Sequence, residues 1–312
     1  MGRGVSADRL TLFISAVGDA VLAKFVELGV HELGPPPAKF CFMVMGSASR
    51  SEQTLESDQD NAIIVEDVPD EQADEALGYF LNLGEKVCGW LDRAGYEYCR
   101  GGFMAQSPQW RRPLSDWKTY FSDWIFSFEP ELQVRFGTFF DFRCAYGEKS
   151  LTKELRSHVF QLLERSLGFF RHLSEIATRY TIPLGFFGNV LVESKGGHRG
   201  ELNVKTAMEP LIFMIRFYAF KHGMEAIRTA ERLNLLVERG LFSETKRDGL
   251  LQAYNFLTRA RIEREIRTLR EQGEGSSLHI RPKELSRRDY ESLKASLSAI
   301  KRLQKDLRAE EL

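Results

Sequence analysis

The residues best suited to chemistry lie close together in the first quarter of the chain. Gly46-Ser47 is followed, after a spacer of ten residues, by the two acids of Asp58-Gln59-Asp60. A glycine lets the backbone turn sharply and approach a ligand closely. Two neighbouring carboxylates repel each other, and a fold normally keeps them close where a cation neutralises them. The pattern predicts that the Gly-Ser turn holds nucleotide phosphates and that the two acids hold Mg²⁺ for a displacement at phosphorus.

Two apolar runs must position these groups. Residues 40–45 are all apolar, too few for a membrane span and suited to a fully buried strand that ends at the glycine. A second run, 62–65, follows the acids, and side-chain alternation along a strand places Asp58 and Asp60 on one face. The alternative is an ordinary strand-turn-strand with a solvated acidic end. The joint spacing between two apolar runs, with Arg50 in the spacer, favours the nucleotide site.

The segment GSASRSEQTLESDQDNAIIVED resembles the signature of the polymerase-β-type nucleotidyltransferase superfamily, in which a third carboxylate lies on a later strand. It looks most like the nucleotidyltransferases related to the amino-terminal domain of protein-PII uridylyltransferase, which are often joined to CBS or cyclic-nucleotide-binding modules. The resemblance implies transfer of a nucleoside monophosphate from ATP or UTP to a hydroxyl of a protein or small molecule, with release of pyrophosphate. It implies Mg²⁺, or Mn²⁺, as the cofactor. Gly46 and Ser47 would bind the nucleotide, and Arg50 would either contact phosphate or brace the loop.

A third acid, Asp141, lies in the apolar segment 137–146, GTFFDFRCAY, which predicts a strand. A carboxylate in such a run needs a partner, because an unpaired buried charge is costly. The partner is either Arg143, on the same face of the strand, or a metal ion. The superfamily pattern implies the metal, so that Asp58, Asp60 and Asp141 together form the catalytic and metal-binding set, with Asp141 helping to deprotonate the acceptor.

The composition changes near residue 150, after which the pattern is almost entirely helical. The expected fold is an α+β nucleotidyltransferase domain, with a mixed sheet and flanking helices, followed by an all-α helical bundle. The expected divisions are a lead-in helix and linker at 1–38, the catalytic domain at 39–150 and a helical domain at 151–312. The resemblance implies that the last of these binds the substrate.

Apolar residues at helical spacing predict the individual helices. They are expected at 8–32, 69–93, 151–180, 210–222, 225–239, 243–272 and 282–310. The inner face of the first is expected to be Leu12, Ala16, Ala20, Phe25 and Leu28. A short strand is expected at 96–99.

Two arginine-rich segments have two interpretations each. Segment 107–124 either packs its tryptophans onto the domain or forms a lid whose Arg111 or Arg112 reaches phosphate. The helix at 243–272 carries Arg261 and Arg264, which either belong to a salt-bridged outer face or contact the substrate.

Composition excludes several classes of protein. A net charge of −1 argues against a nucleic-acid partner, which would usually need a basic face. Four scattered cysteines without a CxxC spacing predict reduced thiols, with neither zinc nor disulfides. The absence of a long apolar run and of a signal-like start predicts a cytoplasmic protein without a membrane partner.

The leading hypothesis is therefore an enzyme. The alternative is a nucleotide-sensing module that keeps the nucleotidyltransferase fold with little or no catalysis. The sequence leaves the preferred base, the acceptor and the oligomeric state open.

Overall fold

The computed structural model describes residues 6–127, 131–271 and 278–310. The chain forms two compact units, Thr11–Phe169 and the rest of the described residues. The first contains a mixed sheet with helices, and the second is mostly helical. This confirms the expected fold class, an α+β domain followed by a helical one.

A four-stranded sheet forms the centre of the first unit. Its strands, in spatial order, are β3 (Arg111–Pro113), β2 (Asn61–Val65), β1 (Phe40–Met45) and β4 (Phe142–Gly147). The central strand β1 is antiparallel to both of its neighbours, whereas β2 and β3 are parallel. Every residue of β1 and β2 is buried, as their unbroken apolar runs predict.

The edges of this sheet differ from the expectation. Strand β3 has the sequence Arg-Arg-Pro, which does not predict a strand because proline cannot donate a hydrogen bond to the ladder. The proline is tolerated here because β3 lies at the edge of the sheet. The strand expected at 96–99 is wrong, since these residues are irregular. Strand β4 begins at Phe142, so Asp141 lies in the turn before it and not within the strand.

Three of the helices that accompany the sheet, at 7–33, 70–93 and 149–163, begin within two residues of a predicted helix, whereas those at 46–49, 114–126 and 132–138 lie outside the predicted ranges. In chain order, these helices are α1 (Ala7–Leu33), α2 (Gly46–Ser49), α3 (Asp70–Arg93), α4 (Leu114–Phe126), α5 (Leu132–Thr138) and α6 (Lys149–Leu163).

The buried face of α1 was predicted wrongly. Of the residues expected to face inward, Ala16, Ala20 and Leu28 are exposed. The buried positions are Ala7, Thr11, Ser15, Gly18, Leu22, Val26 and Gly29. A side chain on Gly29 would come within 2.6 Å of Leu83 Cδ1, so the small residues allow the helix to approach its neighbours closely. An apolar pattern misses such a face because its members are small or polar.

The second unit is built from helices α7 (Leu167–Arg179), α8 (Val204–Lys221), α9 (Thr229–Glu238), α10 (Glu244–Arg270) and α11 (Arg287–Glu310). A short antiparallel pair, β5 (Leu202–Asn203) and β6 (His279–Ile280), makes this unit mostly rather than entirely helical. The last helix buries one stripe of five apolar residues at helical spacing: Leu293, Leu297, Ile300, Leu303 and Leu307.

Three helix boundaries were predicted wrongly or cannot be compared. The single helix expected at 151–180 is interrupted at 164–166, and the apolar repeat continues on both sides of the break, which hides it. Helix α8 starts before Pro210, because the Asn203 side chain caps its amino end by accepting from Thr206 N at 3.0 Å. The helix expected at 243–272 corresponds to α10, and its expected last residue, 272, lies outside the described residues.

Candidate nucleotide and metal site

The turn at the end of β1 depends on a glycine. Gly46 has a φ of +54°, a left-handed conformation that favours glycine. A Cβ added there would lie 3.0 Å from Asp60 Oδ2. The main-chain N–H of Gly46 donates to the main-chain oxygen of Asp141 at 3.1 Å. The Gly46 peptide therefore lies between the Asp60 carboxylate and the Asp141 backbone, which confirms the sharp turn expected at this position.

The two paired acids come together immediately before β2. The main-chain oxygen of Asp60 accepts from Met45 N at 2.9 Å, which fixes it beside the end of β1. One carboxylate oxygen each of Asp58 and Asp60 and the sulfur of Cys99 lie within 4.8 Å of one another. Both acids are partly exposed. The motif thus forms a compact cluster of ligand atoms open to solvent.

Neutral side chains hold the acids in place. Gln59 is buried and its Nε2 donates to the main-chain oxygens of Cys88 at 3.0 Å and Tyr96 at 2.9 Å. Asn61 is also buried and its Oδ1 accepts from Ala105 N at 2.9 Å. Because buried and partly exposed residues alternate here, the two anchoring amides leave both carboxylates on the accessible side.

Cys99 is a member of the cluster that the sequence did not single out. It lies in an irregular segment, about 40 residues from the paired acids, and no spacing rule links the two. Burial, and then the charge of Asp60, raise the pKa of this thiol to about 12. It therefore stays protonated at neutral pH and can donate to the Asp60 carboxylate.

The third acid has a different environment. Asp141 is fully buried, and its Oδ2 lies 3.0 Å from Arg50 Nη1. Arg50 Nε lies 2.7 Å from Glu52 Oε2, so one guanidinium joins two carboxylates. Burial alone lowers the pKa of Arg50, but the charges of Glu52 and Asp141 outweigh it and raise the pKa above its ordinary value. The structure does not bring Asp141 into the ligand cluster of Asp58, Asp60 and Cys99.

The expected alternative partner of Asp141 was Arg143, and this pairing is wrong. Arg143 Nη2 lies 2.8 Å from both carboxylate oxygens of Asp19 on α1. The same guanidinium donates to the main-chain oxygens of Ala48 and Ser49 in α2. Arg143 thus fixes the short helix after the glycine turn, while Arg50 takes the role of neutralising Asp141.

Two family models match this chain. The model described as Putative nucleotidyltransferase DUF294 matches residues 1–131, and the model described as Putative nucleotidyltransferase substrate binding domain matches residues 168–310. The chain belongs to this family. Asp58 and Asp60 lie within the first matched segment of the DUF294 chain, whereas Asp141 lies between the two segments. No curated protein matches the chain.

The acids of this DUF294 protein fit a divalent cation that prefers oxygen ligands. Asp58 and Asp60 supply carboxylate oxygens, the ligands that Mg²⁺ and Mn²⁺ prefer. The space that a Cβ on Gly46 would fill lies directly against Asp60 Oδ2. A cavity of about 40 Å³ lined by both acids has room for an ion with a water molecule, but not for a whole nucleotide.

Several residues of the arginine-rich segments of the DUF294 chain have structural roles. Trp110, Trp117 and Trp124 are all buried, which confirms the packing interpretation of that segment. Arg111 is in β3, and its Nη1 donates to Gln106 O at 3.1 Å. Arg261 is buried and its Nε lies 2.8 Å from the fully buried Glu265, which argues against substrate contact.

One further expectation concerned membranes. Among the helices that the structure describes, none combines the length with the apolar character that crossing a bilayer requires.

Proposed function

We propose that this protein transfers a nucleoside monophosphate from ATP or UTP to a hydroxyl of a protein or small molecule, with Mg²⁺ as cofactor and pyrophosphate as the leaving group. Mn²⁺ could replace Mg²⁺, because both prefer oxygen ligands. One observation carries the proposal: neutral side chains hold Asp58 and Asp60 within 4.8 Å of each other beside the glycine turn. Family membership supports nucleotidyl transfer in general.

Each residue has a role that its position allows. When bound, the metal neutralises phosphate charge and aligns the phosphates for in-line displacement. Asp58 and Asp60 hold and orient it through their carboxylates. Ser47, which is partly exposed, offers its hydroxyl to a terminal phosphate, and Gly46 keeps the backbone clear of the ligand. Arg50 braces the loop through its two ion pairs and is not assigned to phosphate.

Asp141 is proposed as the third carboxylate, which helps to deprotonate the acceptor. Its main-chain oxygen accepts from Gly46 N, so it lies at the same end of β1 as Asp60. The Arg50 guanidinium favours its ionised form, the form that a general base requires.

The same contact favours a second candidate, a nucleotide-sensing module with little catalysis. A fully buried carboxylate already neutralised by Arg50 is poorly placed to take a proton from an acceptor. In that case Asp58 and Asp60 would bind the metal-nucleotide complex without any transfer following.

Calorimetric titration with ATP, UTP, GTP and CTP, each with and without Mg²⁺, tests the site. We expect one of the first two to bind in an Mg²⁺-dependent way, and binding to weaken about 100-fold in the double variant Asp58→Asn, Asp60→Asn, since two metal ligands are lost. Glu56→Gln, an exposed acid in the same spacer, is the matched control and should bind normally. Unchanged affinity in the double variant would refute the metal role of these acids.

Incubation with nucleotide labelled at the α-phosphate separates the two candidate functions. With protein and small-molecule fractions of a cell extract as acceptors, an enzyme releases pyrophosphate and attaches the label to an acceptor. The double variant should lose about 1000-fold or more of this rate, a loss of roughly 4 kcal/mol in transition-state stabilisation. Mg²⁺-dependent binding without label transfer would support the sensing module instead.

A further inference from the structure

A second group of potential metal ligands lies in the helical unit, away from the acids of the nucleotidyltransferase motif along the chain. One ring nitrogen each of His198 and His279 and one oxygen of Glu201 lie within 4.8 Å of one another. The two imidazole rings are stacked, with centroids 3.8 Å apart and planes inclined by only 2°. Their closeness requires an explanation, because the two residues are about 80 positions apart in the sequence.

Backbone hydrogen bonds bring these side chains together. Residues 193–201 form a closed loop, in which Glu193 N donates to Glu201 O at 2.9 Å and Gly200 N donates to Glu193 O at 2.8 Å. Strand β5 follows directly from this loop and pairs with β6, and the register of the pair sets His279 opposite Asn203. The β5–β6 pair therefore presents His279 to the loop that carries the other two ligands.

Carboxylates and a guanidinium orient the candidate ligands. Glu201 Oε2 lies 2.8 Å from His198 Nδ1, while its Oε1 accepts from Arg281 Nε at 3.0 Å. A second carboxylate, Glu193, lies 3.1 Å from His279 Nε2, and the His279 side chain is only 10% exposed. Protein metal sites commonly have ligands fixed by such outer hydrogen bonds.

The chemistry of this group differs from that of the motif acids. Two imidazoles and one carboxylate offer nitrogen as well as oxygen ligands. Unprotonated rings present nitrogen lone pairs, which zinc and other late first-row metals accept and Mg²⁺ does not prefer. Metal–ligand distances of about 2.0–2.2 Å require ligand atoms to lie within roughly 4.4 Å of each other. An imidazole binds a metal in its own ring plane, so metal binding requires one ring to turn out of the parallel stack in addition to small shifts of the ligand atoms.

We propose that His198, His279 and Glu201 form a second metal site, which binds a late first-row divalent cation such as Zn²⁺ through two imidazoles and one carboxylate. The proposal does not depend on the proposed transferase activity. The site uses no cysteine, so it agrees with the cysteine spacing that argues against a thiolate zinc centre. Three protein ligands leave a coordination position open for water or a ligand.

The surroundings indicate what that position could accept. Glu201 and His279 line a polar cavity of about 260 Å³, which also receives Arg264 and Arg267 from α10. The acids Glu263 and Glu284 also line this cavity, so its charge is mixed. Arg264 and Arg267 would pair with a small anion, such as a carboxylate or phosphate group, bound at the open metal position. Of the two arginines considered for substrate contact, Arg264 therefore lines the cavity beside the proposed metal site, whereas Arg261 is paired with Glu265.

The test measures metal binding to the full chain directly. The background is Asp58→Asn, Asp60→Asn with Mg²⁺ in excess, which removes the motif acids as zinc ligands. Calorimetry with Zn²⁺ should show one equivalent bound in this background, and His279→Ala or His198→Ala should weaken it about 100-fold or more. His31→Ala, an exposed histidine outside the group, is the matched control and should change nothing. No zinc binding in this background, or unchanged affinity without His279, would overturn the proposal.

A second measurement avoids the substitutions and any folding defect they cause. With Co²⁺ in place of Zn²⁺, the unmutated chain should show visible bands of a nitrogen- and oxygen-ligated ion, without the near-ultraviolet charge-transfer band that a thiolate ligand produces. X-ray absorption of the zinc-loaded chain should detect two imidazoles in the first shell. A shell with sulfur, or without imidazole, would refute the site.

Discussion

Acidic side chains lie on both sides of the carboxyl end of β1, but their surroundings differ. On the β2 side, Asp58 and Asp60 are positioned by the neutral side chains of Gln59 and Asn61 and lie near the neutral thiol of Cys99. On the β4 side, Asp141 is fully buried against a guanidinium that also holds a second carboxylate.

The difference shows where a cation can bind. Two neighbouring carboxylates carry negative charge that a divalent ion would neutralise, so the β2 side suits a metal ion. On the β4 side the protein supplies the positive charge itself, which stabilises the fold and leaves less attraction for an added ion. The following experiments test whether the acids on the β2 side serve ligand binding and the acid on the β4 side serves folding.

The largest effect is expected from removing the internal cation. Arg50→Met leaves Glu52 and Asp141 buried without it, and we expect the free energy of unfolding to fall by about 3 to 5 kcal/mol. Asp60→Asn should instead leave stability nearly unchanged, because it removes one of two neighbouring like charges. Urea denaturation followed by circular dichroism measures both, with Arg100→Met, an exposed arginine, as the control. Equal losses in Arg50→Met and Asp60→Asn would abolish the distinction between the two sides.

A smaller effect concerns the neutral groups on the β2 side. Burial raises the pKa of Cys88, whose thiol donates to Asn61 Oδ1, from 9.0 to about 11. The folded chain therefore holds this proton more tightly than the unfolded chain. Its stabilising contribution is complete below pH 9 and is lost as the pH rises from about 9 to about 11, by roughly 2 to 3 kcal/mol.

Denaturant midpoints between pH 8 and pH 10.5 measure this dependence. Cys88→Ala should make the alkaline decline shallower without removing it, because burial also raises the pKa of Cys41 and Cys99. Val87→Ala, a buried neighbour that does not titrate, should lower stability equally at all these pH values. An alkaline slope identical in Cys88→Ala and the unmutated chain would show that this thiol is not held in a neutral environment.

The smallest effect is expected at the turn between the two sides. Gly46→Ala places a methyl group 3.0 Å from Asp60 Oδ2 at a φ of +54°, and we expect a loss of about 1 kcal/mol in stability. The methyl group also crowds the metal side, so Mg²⁺-dependent nucleotide affinity should fall about tenfold, equivalent to roughly 1.4 kcal/mol. Gly137→Ala, in a helix with open space around it, is the control and should not destabilise the protein. Normal nucleotide affinity in Gly46→Ala would place the phosphates elsewhere.

Sequence patterns predicted the elements of this protein better than their packing. The range 40–45 is the observed strand β1, because an unbroken apolar run bounded by glycine leaves few alternatives. The range of α1 was also predicted closely, but its buried face was not. Gly18 and Gly29 are buried there because they allow close approach, and a search for large apolar residues cannot find such contacts.

What the sequence by itself determined is local: the buried strands β1 and β2, the ranges of α1 and α3, the glycine turn and the two neighbouring acids are encoded by adjacent residues and by backbone periodicity. The tertiary structure decided which residues from distant parts of the chain contact each other. Arg50 meets Asp141 across 91 positions, Cys99 joins the paired acids from an irregular segment, and His279 reaches His198 through a two-residue strand pair. Such contacts depend on how distant segments pack against each other, and the periodicity of the sequence does not predict that packing.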